Sequence, residues 1–373
     1  MTSRPPAEIG MPLVEVDTPA LLVDLEALER NLRRLGDRAR ELGVRIRPHA
    51  KTHKSPTIAR KQIALGAVGV CCQKVSEAEA LVAGGIGDVL VSNEVVGRQK
   101  LERLAALGRE ARIGVCVDEP ENVAAVGAAA RAYGVVLDVL VEINVGANRC
   151  GIEPGEPALA LAERVAGTSG LRLRGLQAYH GSAQHLRGYE ERRAAIAAAA
   201  LKAERTATLL KSRGLACEVV AGAGTGTYAF EAATGVYNEL QAGSYVFMDA
   251  DYSKNLAADG APVREFEHAL FVYATVMSKP NSERAVLDAG LKAVSVDSGM
   301  PRLVDREDAE FVRASDEHGV LRLKESNRPL AVGQKLRLIP GHCDPTVNLY
   351  DWYVGYRGER VEAIWPIARG PGN

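Results

Sequence analysis

The sequence predicts a (β/α)8 barrel followed by a mostly β domain, and three observations carry that reading. Between residues 20 and 220, short apolar stretches alternate eight times with longer helix-patterned ones, the pattern of parallel βα units. Eight such units within about 250 residues match the size of a closed barrel. Near residue 265 the alternation stops, and 270–276, 285–288, 336–339 and 361–364 are strand-like with little helix between them. The expected boundaries are 17–265 for the barrel and 266–373 for the β domain, joined by the leading segment 1–16. An open doubly wound sheet is the alternative, but no early GxGxxG follows the first strand, which argues against a dinucleotide fold.

Each element has its own signal. The run ALLVDL at 20–25 is nearly continuous in apolar residues, as in a strand buried on both faces. Leu28, Leu32 and Leu35 at helical spacing make 26–41 a helix. The run 44–50 is the next strand. Side chains alternate along a strand, so Val44, Ile46, Pro48 and Ala50 share one face. Arg45, Arg47, His49, Lys51 and His53 share the other, a basic row that suits either a site or an exposed edge. A helix over 56–65 leads to a strand at 69–73, and Ser76 with Glu79 has the spacing of a capping box opening the next helix. Strands at 88–93, 113–118, 136–145, 173–179 and 218–220 then alternate with helices at 97–108, 120–132, 157–167 and 188–213, the last rich in alanine. The segment after 226 supplies the last helix.

Composition narrows the function. In 373 residues, 46 Lys+Arg balance 47 Asp+Glu for a net charge of −1, which gives no reason to expect nucleic acid or an acidic membrane as partner. Six scattered cysteines form no CxxC pair, so neither a zinc knuckle nor a disulfide framework is indicated, and a reduced, cytoplasmic setting follows. No signal-peptide h-region and no run of membrane-spanning length is present.

In a barrel the working residues sit where strands end and βα loops begin. There the sequence places Lys51 with His49 and His53, Gln73, Asn93, Arg149, Tyr179-His180 and the turn Gly222-Ala223-Gly224-Thr225-Gly226-Thr227. Glycines let backbone N–H groups approach an anion and threonine hydroxyls add donors, so this turn suits a phosphate, although a merely flexible loop has the same composition. It lacks the GxxxxGK[ST] spacing of a nucleoside-triphosphate site. A phosphate cradle with a strand-end lysine points to pyridoxal 5'-phosphate (PLP), whose aldehyde a lysine amine holds as a Schiff base. Lys51 is the preferred lysine and Lys54 its rival. Arg149 is a permanent cation that would disfavour protonation of the pyridine nitrogen, with a surface salt bridge as the plainer alternative. In Gly341-His342-Cys343-Asp344-Pro345, an extended backbone would turn His342 and Asp344 the same way and Cys343 away. Imidazole plus carboxylate suits a divalent metal with open positions, although three metal-capable residues in a row also arise by coincidence, and Cys343 reads as a buried thiol. His180 and His185 are acid–base candidates, with a satisfied core histidine as the plainer alternative for each.

RPHAKTHK, GVCCQKVSEAEA, VSNEVVG, NRCGI, LQAYHGSAQH, GAGTGTY, NELQAGSYVFMDADY and PGHCDPTVNLYDWYVG, in this order, resemble the D-threonine aldolase group. This is the metal-activated branch of the alanine-racemase-like PLP enzymes, which includes 3-hydroxy-D-aspartate aldolase and D-serine dehydratase. The resemblance implies a PLP-bearing barrel, a C-terminal β domain and a homodimer with its sites near the interface. It implies Lys51 as the Schiff-base lysine, Arg149 beside the pyridine, Tyr179 and Gln73 as neighbours of the cofactor, and Gly222, Gly224, Thr225, Gly226 and Thr227 on the phosphate. It implies His342 and Asp344 as the metal pair, with Mn2+ or Mg2+ expected and Zn2+ as the alternative, and His185 near the substrate hydroxyl. The activity implied is cleavage of β-hydroxy-D-α-amino acids to glycine and an aldehyde. Dehydratases resemble H-x-C at the metal pair and aldolases H-x-D, and Asp344 favours aldolase. The barrel motifs look like D-threonine aldolase, whereas VDSGMP and PGHCDPTVNLYDWYVG look like 3-hydroxy-D-aspartate aldolase, which gives glycine and glyoxylate. A D-serine or 3-hydroxyaspartate dehydratase, a non-catalytic PLP-binding protein and a metal hydrolase are the remaining readings. The HCD segment argues against the non-catalytic one.

Overall fold

The computed structural model describes residues 4–325 and 328–370. Residues 1–3, 326–327 and 371–373 of the expected β domain lie outside the described residues. The chain forms two compact units, one of Leu35–Gly243, Asn255–Ala261 and Ala368–Asn373, the other of Met1–Arg34, Ser244–Lys254 and Pro262–Ile367.

After β1 (Ala20–Asp24) and α1 (Leu25–Leu42) the chain runs through β2 (Arg45–Ile46), α2 (Pro56–Ala64), β3 (Val70–Cys72), α3 (Val75–Ala83) and β4 (Asp88–Glu94). It continues through α4 (Arg98–Leu107), β5 (Arg112–Val117), α5 (Pro120–Tyr133), β6 (Leu137–Glu142), α6 (Glu156–Ala166) and β7 (Leu171–Gln177). Then follow α7 (Tyr189–Ser212), β8 (Val219–Gly222), α8 (Tyr228–Ala233) and β9 (Glu239–Leu240). The strands β2 to β9 make an eight-stranded parallel sheet in the order β2-β9-β8-β7-β6-β5-β4-β3. A parallel bridge from His49 to Cys71 joins the chain after β2 to β3 and closes the ring. Inside it, Cys71, Leu90, Cys116, Leu140, Val219 and Ala221 form a buried cluster drawn from five strands, which fills the barrel as a core.

The first strand is a correction to the sequence reading. Ala20–Asp24 is a strand, but Ala20 to Val23 pair antiparallel with Tyr273 to Leu270, and Leu22 to Asp24 pair parallel with Val354 to Tyr356. It belongs to the second unit, together with 17–19 and 25–34, which the expected boundary at 17 puts in the barrel; 244–254 and 262–265 move with it. A strand buried on both faces fits either sheet, so its apolar run does not choose between them. Its expected place in the ring is taken by β9, two residues long and invisible to periodicity. A second correction concerns α3. It starts at Val75 with Lys74 at the cap position and no side-chain cap bond, so Ser76 and Glu79 make no capping box, and Glu79 instead accepts from Arg103.

The second unit continues with β10 (Leu270–Ser278), β11 (Arg284–Leu287), β12 (Arg302–Leu303), β13 (Ala309–Ala314), β14 (Gly319–Leu323) and β15 (Lys335–Ile339). A short helix α9 (Cys343–Val347) precedes β16 (Trp352–Arg357) and β17 (Arg360–Pro366). The sheet order is β13-β14-β11-β10-β1-β16-β17, with β15 pairing β10 and β12. Ala7, Leu13 and Val16 of the leading segment pack into the same core as Phe271, Tyr273, Val354 and Tyr356, as expected for a segment joined to the β domain. No helix among the described residues is long and apolar enough to cross a membrane.

Candidate active site

All eight barrel strands are parallel, so their C-terminal ends open on one face. The basic row at 45–53 is divided by this geometry. Arg45 and Arg47 sit at the opposite end, where Arg47 donates to Glu239 at 2.7 Å and Asp88 at 2.6 Å. His49 and Lys51 lie on the open face. The strand alternation reaches His49 but not Lys51, a correction to the sequence reading: Ala50–Thr52 is a turn of 3-10 helix, and Lys51 projects from it half-buried. His49 Nδ1 accepts from the Lys51 N–H at 3.4 Å, and its Nε2 lies 2.8 Å from Gln73 Nε2 and 3.3 Å from Ser92 Oγ. Burial, then the charges of Lys51, His53 and Arg149, hold His49 well below the usual imidazole range. It is therefore a neutral support beneath the lysine. The rival Lys54 is committed elsewhere, with its Nζ 3.3 Å from Glu77 Oε1 in a nearly buried pair.

Gln73 follows β3, Arg149 the loop after β6, and Tyr179 the end of β7, so all three lie on this face; the Arg149 guanidinium is 5.8 Å from the Tyr179 ring centre. Next to Arg149 is a group that sequence reasoning missed. Burial, then Glu94, push the Glu142 carboxyl up to about 8, so it is protonated at neutral pH and bonded to Glu94. Glu94, Asp118 and Cys150 offer atoms within 4.8 Å of one another. Burial, then Glu94, push the Cys150 thiol up to about 11. An acid closing each of two apolar strands, β4 and β6, was the available signal.

The glycine-rich turn leaves β8 at Gly222. Ala223 has a φ of 74°, and a Cβ on Gly224 would lie 2.5 Å from Gln184 Oε1. The backbone lies so close to Gln184 that a side chain at 224 would have to displace its amide. His185 closes the 3-10 turn Ser182–His185 after β7 and is exposed.

In the second unit, His342 is extended (φ −143°, ψ 127°) and α9 begins at once with Cys343. Asp344 is therefore helical, and the alternation argument for the His342–Asp344 pair is corrected. Cys343 is still a buried thiol, as expected, with Sγ 3.2 Å from Met248 O, and burial raises its pKa far above the usual range. His342 Nδ1 lies 2.8 Å from Asp297 Oδ2. A carboxylate on one ring nitrogen holds the imidazole in place and leaves the other nitrogen for a ligand, as in metal-binding histidines. Burial pushes the Asp249 carboxyl, which feels both His342 and Asp344, up to about 6. Carboxylates beside an oriented imidazole are donors of the type that a hard or borderline divalent cation takes, although among the described residues the group of three metal-capable side chains with mutually close donor atoms is Glu94, Asp118 and Cys150.

Residues 23–251 match the family model for the alanine racemase N-terminal domain, and residues 269–356 the putative serine dehydratase domain. The chain is 49% identical over 331 residues to 3-hydroxy-D-aspartate aldolase of Paracoccus denitrificans (strain Pd 1222), covering 87% of this chain and 85% of that protein. It is 50% identical over 326 residues to D-threonine aldolase of Arthrobacter sp., again covering 87% and 85%. The crystal structure of D-threonine aldolase from Filomicrobium marinum matches with a TM-score of 0.95 and 52% identity, over 98% of this chain and 99% of that one. The chain thus belongs to the alanine-racemase-like family, in the group of D-threonine aldolase and 3-hydroxy-D-aspartate aldolase that its motifs resemble.

Proposed function

We propose that the protein is a carbon–carbon lyase that cleaves β-hydroxy-D-α-amino acids to glycine and an aldehyde. The observation that carries this is the likeness, at 49% and 50% identity across 87% of the chain, to two relatives that are both aldolases. Asp344, in place of the dehydratase cysteine, supports the same side.

The family is one of PLP enzymes, and the barrel face fits that group: a half-buried lysine over a neutral histidine, a turn in which a Cβ at Gly224 would meet Gln184, and an arginine beside Tyr179. Lys51 would hold the cofactor's aldehyde carbon. Gly222, Gly224, Thr225, Gly226 and Thr227 would receive its phosphate, with Tyr179 and Gln73 beside the ring and Arg149 keeping a proton off the ring nitrogen. When bound there, PLP would supply an aldehyde for the substrate amine and an electron sink for the pair released at Cα. His342 and Asp344 would hold a divalent cation, Mn2+ or Mg2+ by donor type with Zn2+ as the alternative, which makes a bound hydroxyl more acidic. Asp297 would keep His342 in its binding tautomer. His185 would accept the β-hydroxyl proton on an imidazole nitrogen as the Cα–Cβ bond opens. A homodimer in a reducing, cytoplasmic setting completes the proposal, and the six free cysteines suit such a setting.

The second reading is 3-hydroxy-D-aspartate aldolase, favoured by the relative from Paracoccus. Product analysis on D-threonine, D-3-phenylserine, D-3-hydroxyaspartate and D-serine separates the readings. Glycine with an aldehyde is expected, glyoxylate being the aldehyde of the second reading; a 2-oxo acid with ammonia would mean a dehydratase. EDTA should stop turnover and Mn2+ or Mg2+ should restore it. Asp344→Ala should lose bound metal while Cys343→Ala keeps it, and the reverse would remove the metal pair from the proposal.

A further inference from the structure

The glycine-rich turn is held from behind by a line of buried side chains. Gly226 N–H donates to Gln184 Oε1 at 3.0 Å. Gln184 Nε2 donates to Thr227 Oγ1 at 2.7 Å, and at 3.3 Å to His180 O. Thr227 Oγ1 in turn donates to Glu231 Oε1 at 2.8 Å. Gln184, Thr227 and Glu231 are 0%, 1% and 1% exposed. The line therefore runs from a carboxyl through a hydroxyl and an amide to the backbone of the turn, without contact with solvent.

Two features mark this as more than packing. Thr227 stands at the cap position of α8, where a threonine ordinarily accepts an N–H of the first helical turn, yet it makes no side-chain cap bond. Its hydroxyl is given to Glu231 and Gln184 instead. Glu231 Oε2 has no hydrogen-bond partner, and no ion pair reaches Glu231 among the described residues. An apolar side chain would fill this place without burying an unsatisfied oxygen. Burial pushes the carboxyl up to about 7, so the group is held at a cost to its ionised form. What the carboxyl provides is direction. A threonine hydroxyl has one proton, and once Glu231 takes it, only the lone pairs of Thr227 face Gln184. The amide then has to present NH2 to Thr227 and its oxygen to the Gly226 N–H.

We propose that Glu231 is a positioning residue which, through Thr227 and Gln184, fixes the turn at 222–227 in the shape that receives the phosphate of the cofactor. This rests on the assignment of that turn to phosphate under the proposed function. Gln184 and Thr227 transmit the effect, and Glu231 itself touches no ligand.

The test titrates the full chain, freed of cofactor, with PLP and separately with pyridoxal, which lacks the phosphate, following visible absorbance. The wild type should prefer PLP strongly. Glu231→Leu should weaken PLP about tenfold and leave pyridoxal unchanged, the loss expected when a single buried hydrogen-bond link is cut. Glu231→Gln keeps an acceptor for Thr227 and should restore most of the preference. Thr227→Val cuts the same line one step later, so its effect should not add to that of Glu231→Leu; it also serves alone if Glu231→Leu does not fold. Wild-type preference retained in Glu231→Leu, or in Thr227→Val, would overturn the inference, as would a loss in Glu231→Gln equal to that in Glu231→Leu. A wild type that binds PLP and pyridoxal equally would overturn the assignment of the turn itself, and the inference with it.

Discussion

The two ends of the barrel are made by the same strands and treat charge in opposite ways. At the N-terminal end the arginines of the strands are paired with carboxylates. Arg47 is bonded to Glu239 and Asp88, and Arg112, Arg172 and Arg174 converge on Asp138. At the C-terminal end, burial pushes carboxyls toward their neutral form. Glu142 is pushed up to about 8 and Glu231 to about 7, each mainly by burial, and His49 is held neutral. Paired charge at one end gives a stable closure. Neutralised charge at the other leaves Lys51 and Arg149 as the prominent cations of a face that can accept an anionic ligand. Composition alone would make both ends look polar; only the pairing tells them apart.

This contrast can be broken from either side. Lys51→Ala has the largest expected effect, a loss of several orders of magnitude in turnover together with the visible absorbance of bound cofactor, while the melting temperature of the cofactor-free chain stays put. If that absorbance survives and disappears only in Lys54→Ala, the wrong lysine is assigned. Next comes the opposite end. Arg47→Leu removes the nearer of the two cations on buried Glu239 and leaves Arg45 at 3.5 Å, and should cost about 1–3 kcal/mol of stability by denaturant unfolding, with kcat and PLP affinity unchanged in the folded protein. A change in PLP affinity larger than the change in stability would mean that the two ends are not separate. Arg149→Glu should alter the spectrum and the product ratio more than PLP affinity, because a carboxylate beside the ring nitrogen favours its protonation; an unchanged spectrum would leave Arg149 a structural role. The smallest effect belongs to Glu142→Gln. The folded pKa is raised above the ordinary value of 4.5 to about 8, so the contribution of Glu142 to stability is complete below pH 4.5 and is lost as pH rises through 8. The amide cannot ionise. The variant should therefore lose less stability than the wild type between about pH 5 and 9, with little change in turnover at pH 7, and parallel stability–pH curves would show that Glu142 is not protonated there.

Much of this face was legible because strand ends in a parallel barrel have a fixed function. Lys51, Gln73, Arg149, Tyr179 and the turn at 222–227 could be named from that rule alone. What escaped has physical reasons. The alternation of a strand carries no information past its last extended residue, so it failed at Lys51 and at Asp344, both on helical turns. Glu94, Asp118 and Glu142 were single acids in apolar contexts, and only the ring brings them together. Glu231 and Gln184 lie on separate loops and helices, and their link passes through one hydroxyl. Glu239–Leu240 is too short to show a period. Ala20–Asp24 was recognised as a strand but assigned to the wrong sheet, because burial on both faces does not name the neighbours.

The position of that strand also sets an order of events during synthesis. All the strands of the ring lie between Arg45 and Leu240, so the barrel can close as soon as that length has left the ribosome. Ala20–Asp24 cannot. Its partners are at 270–273 and 354–356, and at roughly 5–20 residues per second the first follows the end of the ring by about 2–7 s and the second by about 6–23 s. Until the first of them is made, an apolar five-residue strand precedes the ring with both hydrogen-bonding edges open, a template for pairing with other nascent chains. The charged helix α1 that follows it, with Arg and Glu spread along its length, is the nearest source of solubility. A chaperone that recognises short apolar segments would find its first client site here, at residues 20–24.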